Sequence, residues 1–314
     1  MAEKVIVVAG PTASGKTALG IELAKKFNGE IVSADSMQIY RSMDIGTAKA
    51  TPAERAAVPH HMLDVIEPWE DYSVARYVED AAACCEDILR RGKLPFIVGG
   101  TGLYIDSLVS GRDFAQTQED KTLREELNAE YDRAGGEEML RRLAAVDPER
   151  AAKLHPSDKR RIVRALEIYR LTGMTITAHD ELTRALPPRY EAARIILGYA
   201  ERSALYERID ARVDAMVGEG LFAEVEALLA SGLSADCTAM QAIGYKEPAA
   251  ALRGEMSREE AVGLIKRQSR RYAKRQLTWF SRAENALRIE WDKTPDFEAA
   301  LLLSTKFLHS FGIS

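Results

Sequence analysis

The segment Gly10-Pro11-Thr12-Ala13-Ser14-Gly15-Lys16-Thr17 constrains this chain more than any other. It fits the pattern G-x-x-x-x-G-K-[ST], follows the apolar run Val5-Ile6-Val7-Val8, and opens the amphipathic stretch Thr17–Phe27. In that order a strand delivers a tight loop to the N-terminus of a helix. Small residues there let backbone N–H groups converge on an anion. The Lys16 ammonium can reach phosphate oxygens, and the Thr17 hydroxyl can ligate Mg²⁺.

The rest of the chain supplies a sheet to carry that loop. Glu30–Ser33, Pro95–Val98, Arg194–Leu197 and Ala286–Ile289 read as further short buried strands. Ser73–Arg91 and Arg202–Ala230 carry helical spacing between them. Strand–helix alternation predicts an α/β fold, a P-loop-type parallel sheet flanked by helices. The stretch 117–186 differs: Glu119–Ala134, Gly136–Val146, Pro148–Leu154 and Asp158–Thr172 read as successive charged helices, ended by Pro187-Pro188. The expected organisation is a catalytic core, 1–116 and 187–314, with a helical insertion domain over 117–186. The last twenty residues fit a strand and a final helix, or a loose tail. At 314 residues the chain is long enough for two such units. It lacks an apolar run that could span a bilayer, a signal-peptide pattern and a disulfide framework, having three cysteines. A cytoplasmic protein without membrane association is expected.

The loop does not identify the phosphate compound. A motor-type NTPase adds an acid after a second apolar strand to hold Mg²⁺. Here Phe96-Ile97-Val98 ends in Gly99-Gly100-Thr101-Gly102, and Ile195-Ile196-Leu197 ends in Gly198. The acid that follows an apolar strand is Asp35, in Ile31-Val32-Ser33-Ala34-Asp35-Ser36. At a strand's carboxyl end it can act as a general base or metal ligand, or simply cap a turn. Ser36, Met37 and Gln38 suit a nucleobase edge, and Thr101 can donate to a phosphate or a base. His60-His61 lacks partners at metal-ligand spacing and reads as a structural turn after Pro59. Cys84-Cys85, in an Ala-rich helix, reads as packing.

Net charge is −5, so only a local patch can attract a polyanion. Lys266 to Arg282 contains seven basic residues and no acidic one. Lys266, Arg270 and Lys274, with Arg267, Arg271 and Arg275, predict one cationic helix face. Tyr272, Trp279 and Phe280 are interleaved and suit stacking on unpaired bases. Lys159-Arg160-Arg161 with Arg164 forms a second patch. A bent polyanion such as RNA fits two patches on two lobes.

With those motifs in view, the chain resembles the bacterial tRNA dimethylallyltransferase (tRNA isopentenyltransferase) family. The matching segments are GPTASGKT (10–17), SADSMQIYR (33–41), DIGTAKA (44–50), PHHMLDV (59–65), FIVGGTGLYI (96–105), RRIVRALEIYR (160–170), AMQAIGYKE (239–247) and YAKRQLTWF (272–280). They run in the family's order along nearly the whole chain. The family often has Pro where Ala50 stands and Gln where Arg160 stands.

The resemblance implies transfer of a dimethylallyl group from dimethylallyl diphosphate to the N6 amine of adenosine 37 in tRNA, beside the anticodon. It implies that Gly10, Pro11, Thr12, Ala13, Ser14, Gly15, Lys16 and Thr17 hold the donor diphosphate, with Mg²⁺ at Thr17. Asp35, Thr12, Lys16 and Thr101 would be catalytic. Asp35, Ser36, Met37, Gln38 and Thr101 would line a flipped-base pocket. Arg124, Arg160, Arg161 and Arg164 would touch the anticodon stem. Met240, Gln241, Gly244, Tyr245, Lys274, Arg275 and Trp279 would hold the loop. No protein partner is implied. The rival readings are an ATP-dependent small-molecule kinase and a non-catalytic RNA-binding protein.

Overall fold

Val5, Ile6, Val7 and Val8 are all fully buried in the computed structural model of this chain. A strand apolar at consecutive positions must be covered on both faces, and this one is. It is the fourth of six parallel strands. The structure describes residues 2–111 and 120–314.

In chain order the elements are β1 (Glu3–Ala9), α1 (Lys16–Lys26), β2 (Gly29–Ala34), α2 (Pro52–Ala57), β3 (His60–His61), α3 (Val74–Arg90), β4 (Leu94–Gly99) and α4 (Gly102–Ser110). Next come α5 (Lys121–Ala134), α6 (Gly136–Val146), α7 (Pro148–Ala151), α8 (Lys159–Thr172) and α9 (Ile176–Ala185). The chain ends with β5 (Tyr190–Tyr199), α10 (Arg202–Glu219), α11 (Leu221–Ala230), α12 (Lys246–Leu252), α13 (Arg258–Phe280), β6 (Ala286–Trp291) and α14 (Phe297–Ser310). The sheet order is β3-β2-β4-β1-β5-β6. Helices cover both faces, as an α/β sheet requires. No helix among the described residues is long and apolar enough to cross a membrane.

Register fixes where the loops emerge. Ala9 of β1 pairs with Gly99 of β4, and Gly99 pairs with Ala34 of β2. The loops beginning at Gly10, Asp35 and Gly100 therefore leave the sheet side by side at its carboxyl edge, where open α/β sheets bind ligands. Gly99 must lack a side chain, because a Cβ there would overlap the Ala34 carbonyl.

The chain divides into two compact units, Met1–Val109 with Arg189–Ser314, and Ser110–Pro188. The second is a helical cluster with its own core of Leu127, Met139, Leu143, Ile162, Val163 and Leu166. The expected insertion start at 117, and Glu119 as a first helical residue, lie outside the described residues.

Several elements differ from expectation. The single helix over Arg202–Ala230 is two, because Gly220 takes φ +106° and caps α10. His60-His61 is not a turn but a short edge strand paired with Ile31 and Val32. Its rings explain the choice: His61 Nε2 lies 2.7 Å from the buried Glu30 carboxylate, and His60 Nδ1 lies 2.7 Å from the Val58 carbonyl. Among the described residues no group of three His, Cys, Asp or Glu could hold a metal. α2 was legible but not read: Thr51 and Glu54 form a complete capping box with Pro52 at the first helical position. The C-terminal segment is the helix α14, not a loose tail.

Candidate active site

The phosphate-type loop takes the conformation its sequence requires. Gly15 sits at φ +84° and Ala13 at φ +63°, a left-handed position unusual for alanine. A Cβ at Gly10 would overlap the Leu197 carbonyl, so the loop lies flat against β5. Ser14 is buried, and its Oγ has no hydrogen-bond partner among the described residues. Lys16 Nζ donates to the Pro11 carbonyl at 2.7 Å, curling over the cradle. Trp291 Nε1 donates to the Ser14 carbonyl at 2.9 Å, and the Phe297 ring packs on Gly15, so β6 and α14 brace the loop from behind.

A cleft of about 1070 Å³ opens above this loop. It is lined by residues 12–18, Asp35, Gln38, Asp44, Ile45, residues 47–52, Gly99, Gly100, Arg208, Arg212, Tyr272, Gln276 and Phe297, among others, all in the first unit. Asp35 lies at the carboxyl end of β2, as its place in the sequence predicts, and shares this lining with the phosphate loop. Asp35 is also a turn residue: its Oδ1 accepts from the Met37 N–H at 2.9 Å and the Gln38 N–H at 3.4 Å. That Asx turn fixes the carboxylate, and Oδ2 has no partner among the described residues. Thr101 Oγ1 accepts from the Ser36 N–H at 3.2 Å, and the Thr101 N–H donates to the Ala34 carbonyl. Asp35, Ser36 and Thr101 thus stand together.

Burial, then the nearby Arg212 guanidinium, lowers the Lys16 pKa to about 7, with Asp35 pulling it back up. Burial likewise lowers Arg212, again opposed by Asp35. Arg208 Nε donates to the Ala13 carbonyl at 3.4 Å. Lys16, Arg208 and Arg212 make a cationic cradle that an anion with several charged oxygens would relieve. Tyr272 is pushed up to about 12 by burial and the Asp35 charge, which keeps its phenol protonated beside the acid.

Sequence reading missed Arg208, Arg212 and Gln276. Arg208 and Arg212 are one turn apart on α10, but their contact with the loop is long-range and has no local signature. Gln276 did leave a trace. It lies on the stripe Ala273, Gln276, Phe280 that α13 buries, so helical phase alone marks it as a polar group facing inward.

Other expectations need correction. Gln38 lines the cleft but is braced by the protein: its Oε1 accepts from Ser33 Oγ, and its Nε2 donates to the Thr47 and Ala48 carbonyls. Met37 packs against an apolar cluster. Met240, Gly244 and Tyr245 are buried and cannot touch a macromolecule. The Tyr245 hydroxyl donates to Glu224, whose carboxylate also accepts from the N–H groups of Asp44, Ile45 and Gly46. These residues hold the 44–50 wall of the cleft in place. Gln241 is exposed, with its amide donating to the Ala235 carbonyl.

The cationic face of α13 is narrower than its spacing predicts. Lys266 pairs with Asp214 and Arg270 with Asp210, both on α10. Arg267, Arg271, Lys274 and Arg275 remain exposed. Arg275 lies over the Tyr272 ring at 5.4 Å, which brings this face to the cleft's rim. Trp279, 40% exposed, covers Gly102 and donates its indole N–H to Asp106 at 2.7 Å. In the helical unit Arg124 and Arg164 pair with the buried Glu167, at 3.1 and 2.9 Å, and are structural there. Arg160 and Arg161 are exposed.

A cleft with an anion cradle at one end, a fixed carboxylate in its wall and an exposed basic face at its rim can join an anionic leaving group to a polyanionic acceptor. Comparison with known proteins agrees. The IPP transferase family model matches residues 38–283, and the isopentenyl transferase model matches 3–64. A tRNA dimethylallyltransferase of Acetivibrio thermocellus is 46% identical over 99% of both chains. One from Caldanaerobacter subterraneus subsp. tengcongensis is 48% identical over 89% of both. The crystal structure of the tRNA isopentenylpyrophosphate transferase of Bacillus halodurans is 40% identical, with a TM-score of 0.73 over 99% of this chain and 98% of that one. A eukaryotic dimethylallyltransferase caught acting on tRNA is 30% identical, with a TM-score of 0.81 over 98% of this chain and 80% of that one. A likeness this deep, carried by the same fold along nearly all of the sequence, makes this chain a member of the IPP transferase family.

Proposed function

We propose that the protein transfers a dimethylallyl group from dimethylallyl diphosphate to the N6 amine of adenosine 37 in tRNA. One observation supports this reading above all: the anion cradle and the Asp35 carboxylate share a cleft whose rim carries the exposed cations of α13. No acid follows β4, where a phosphoryl-transferring enzyme would place one. That disfavours the ATP-dependent kinase, since diphosphate here departs as a leaving group.

The chain's own groups have separable tasks. Backbone N–H groups of the loop, Lys16, Arg208 and Arg212 bind the diphosphate and stabilise its growing charge as the allylic C–O bond breaks. Thr12 and Ser14 offer hydroxyls to the same oxygens. Asp35 Oδ2 accepts the proton that the N6 amine loses as the new C–N bond forms, and its fixed position aims that amine. Adenine enters the cleft everted, beside Ser36, Thr101 and Tyr272. Arg267, Arg271, Lys274, Arg275 and Trp279 would hold the tRNA on this unit, and Arg160 and Arg161 on the helical unit.

Mg²⁺ fits beside the cradle: the Thr17 hydroxyl is a hard oxygen ligand lining the cleft. Its remaining ligands would come from the diphosphate and water. When bound, it would neutralise charge on the departing diphosphate.

The test is mass spectrometry of undermodified tRNA incubated with the protein, dimethylallyl diphosphate and Mg²⁺. A gain of one five-carbon unit on the adenosine beside the anticodon is expected. tRNA that binds but gains no mass would refute the reading.

A further inference from the structure

We propose that Gln276 is a positioning residue that locks the donor loop to the acceptor loop, so that the helix carrying the RNA-facing cations also sets the geometry of the reacting groups. The inference rests on the reading above.

Gln276 is 5% exposed, one turn before the C-terminal end of α13. A buried amide is unfavourable unless its hydrogen bonds are made. Here both are made, and to two different loops. Oε1 accepts from the Thr12 N–H at 2.9 Å, in the phosphate loop. Nε2 donates to the Gly100 carbonyl at 2.9 Å, one residue before Thr101. One side chain therefore spans the gap between the loop that would hold the leaving group and the loop that would line the adenine pocket.

Gly100 is shaped for this contact. A Cβ added there would overlap Gln276 Nε2, and its next neighbours, Gln276 Cδ and the Gly10 carbonyl, lie at an ordinary 3.5 Å. Its backbone does not need glycine, since it is absent from the residues at positive φ. The missing side chain makes room for the amide and for little else.

The neighbours of Gln276 supply the coupling. Tyr272, one turn earlier, lines the cleft, while Arg271, Lys274 and Arg275 point outward. Seating a polyanion on the outer face fixes the helix, and the inner face passes that position to Thr12 and Thr101 through one amide. Trp291 and Phe297 brace the phosphate loop from behind, and Gln276 ties it to the Gly100 loop in front. A 1 Å misplacement of reacting groups can cost roughly a hundredfold in rate.

The experiment compares single-turnover prenylation of tRNA by the wild type with that by Gln276→Met, Gln276→Ala, Gly100→Ala and Gly100→Ala/Gln276→Ala. Methionine keeps the length and removes both hydrogen bonds. With donor and tRNA saturating, Gln276→Met should lose roughly tenfold to a hundredfold in rate, while tRNA affinity stays within about twofold because no phosphate contact is removed. Gly100→Ala should be impaired as well, through the overlap with Nε2. The double variant should be no slower than Gln276→Ala alone, since shortening Gln276 vacates the space the new methyl needs. A single-turnover rate within twofold of wild type for Gln276→Met would overturn the proposal. So would a loss accounted for by weaker tRNA binding, or Gly100→Ala and Gln276→Ala effects that multiply. If the wild type fails to prenylate tRNA, the functional reading fails instead, and the control separates the two.

Discussion

Replacing Lys16 with methionine separates what the lysine does for a bound donor from what it does to the empty fold. In the free protein Lys16 is crowded beside Arg212, and burial first, then that guanidinium, lowers its pKa from 10.5 to about 7. An unfolded chain holds the same proton up to the ordinary value. Between about pH 7 and 10.5 the unfolded state binds more protons than the folded one, so stability rises with pH there. Below about pH 7 both states are charged and the full penalty of the buried cation is present. A gap of about 3.5 pH units at 1.36 kcal/mol each bounds that penalty at roughly 5 kcal/mol. Relaxation and the Lys16 bond to the Pro11 carbonyl reduce it, leaving about 1–2 kcal/mol to be gained by removing the charge.

Lys16→Met should therefore be more stable than the wild type at pH 6, by about 1–2 kcal/mol, with the difference shrinking by pH 9. Urea unfolding at pH 6, 7.5 and 9 measures it. Diphosphate with Mg²⁺ should raise the melting temperature of the wild type and leave the variant nearly unmoved, because the lost cation is the one an anion pairs with. A variant less stable than wild type at pH 6, or a difference constant across these pH values, would show that the lysine is not held against its charge.

Asp35→Asn can keep the Asx turn through its amide oxygen while losing the proton acceptor. Single-turnover prenylation should fall by roughly 10²–10⁴-fold at unchanged tRNA affinity, and a near-normal rate would remove Asp35 from that role. Glu224→Ala deletes the acceptor for three successive N–H groups and the Tyr245 hydroxyl. It should cost about 2 kcal/mol and raise amide exchange at 44–46, and unchanged protection there would contradict the assignment. Glu30, buried, is held well below the usual carboxylate range by hydrogen bonding from Arg91, with Lys93 and His61 adding to it. A depressed carboxylate contributes stability above its unfolded pKa near 4.5, lost as the pH falls through the folded value. Glu30→Gln should cost about 3 kcal/mol at pH 7 and flatten the acid-unfolding curve below about pH 4.5. An acid limb as steep as that of the wild type would refute this.

The parts of the site that could be read in advance are those fixed by local chemistry. The loop 10–17 declares itself because its glycines and lysine must stand at set intervals. Val5–Val8 declares a buried strand because a short run of four β-branched residues suits a sheet covered on both faces. Asp35 follows from being the acid after such a strand. What could not be read depends on which way a polar side chain turns. Gln38 and Gln276 are the same residue type, both beside catalytic loops. The first looked like a ligand and is a brace; the second passed unnoticed inside a basic helix. Lys266 and Arg270 counted toward a free cationic face until α10 brought Asp214 and Asp210 against them. Arg124 and Arg164 were similarly claimed by Glu167, which lies 43 residues along the chain from the first and one helical turn from the second.

The distinction between holding and touching follows from hydrogen-bond completeness. A buried polar group whose donors and acceptors are all met has nothing left to offer a substrate, and it fixes its neighbours instead. Gln276 is buried with both ends of its amide bonded, Gln38 and Glu224 are half-buried with theirs bonded, and each ties a loop at the sheet's carboxyl edge to another element. At this edge the groups still able to take up a ligand include Ser14 Oγ, Asp35 Oδ2 and the crowded cations Lys16 and Arg212. They all face the same cleft or lie in the loop beneath it. A frame with satisfied polar groups, built around a small set of unsatisfied ones, is what binding a compact anion beside a proton donor requires: the ligand completes the bonds that folding left open, and the frame cannot relax to complete them itself.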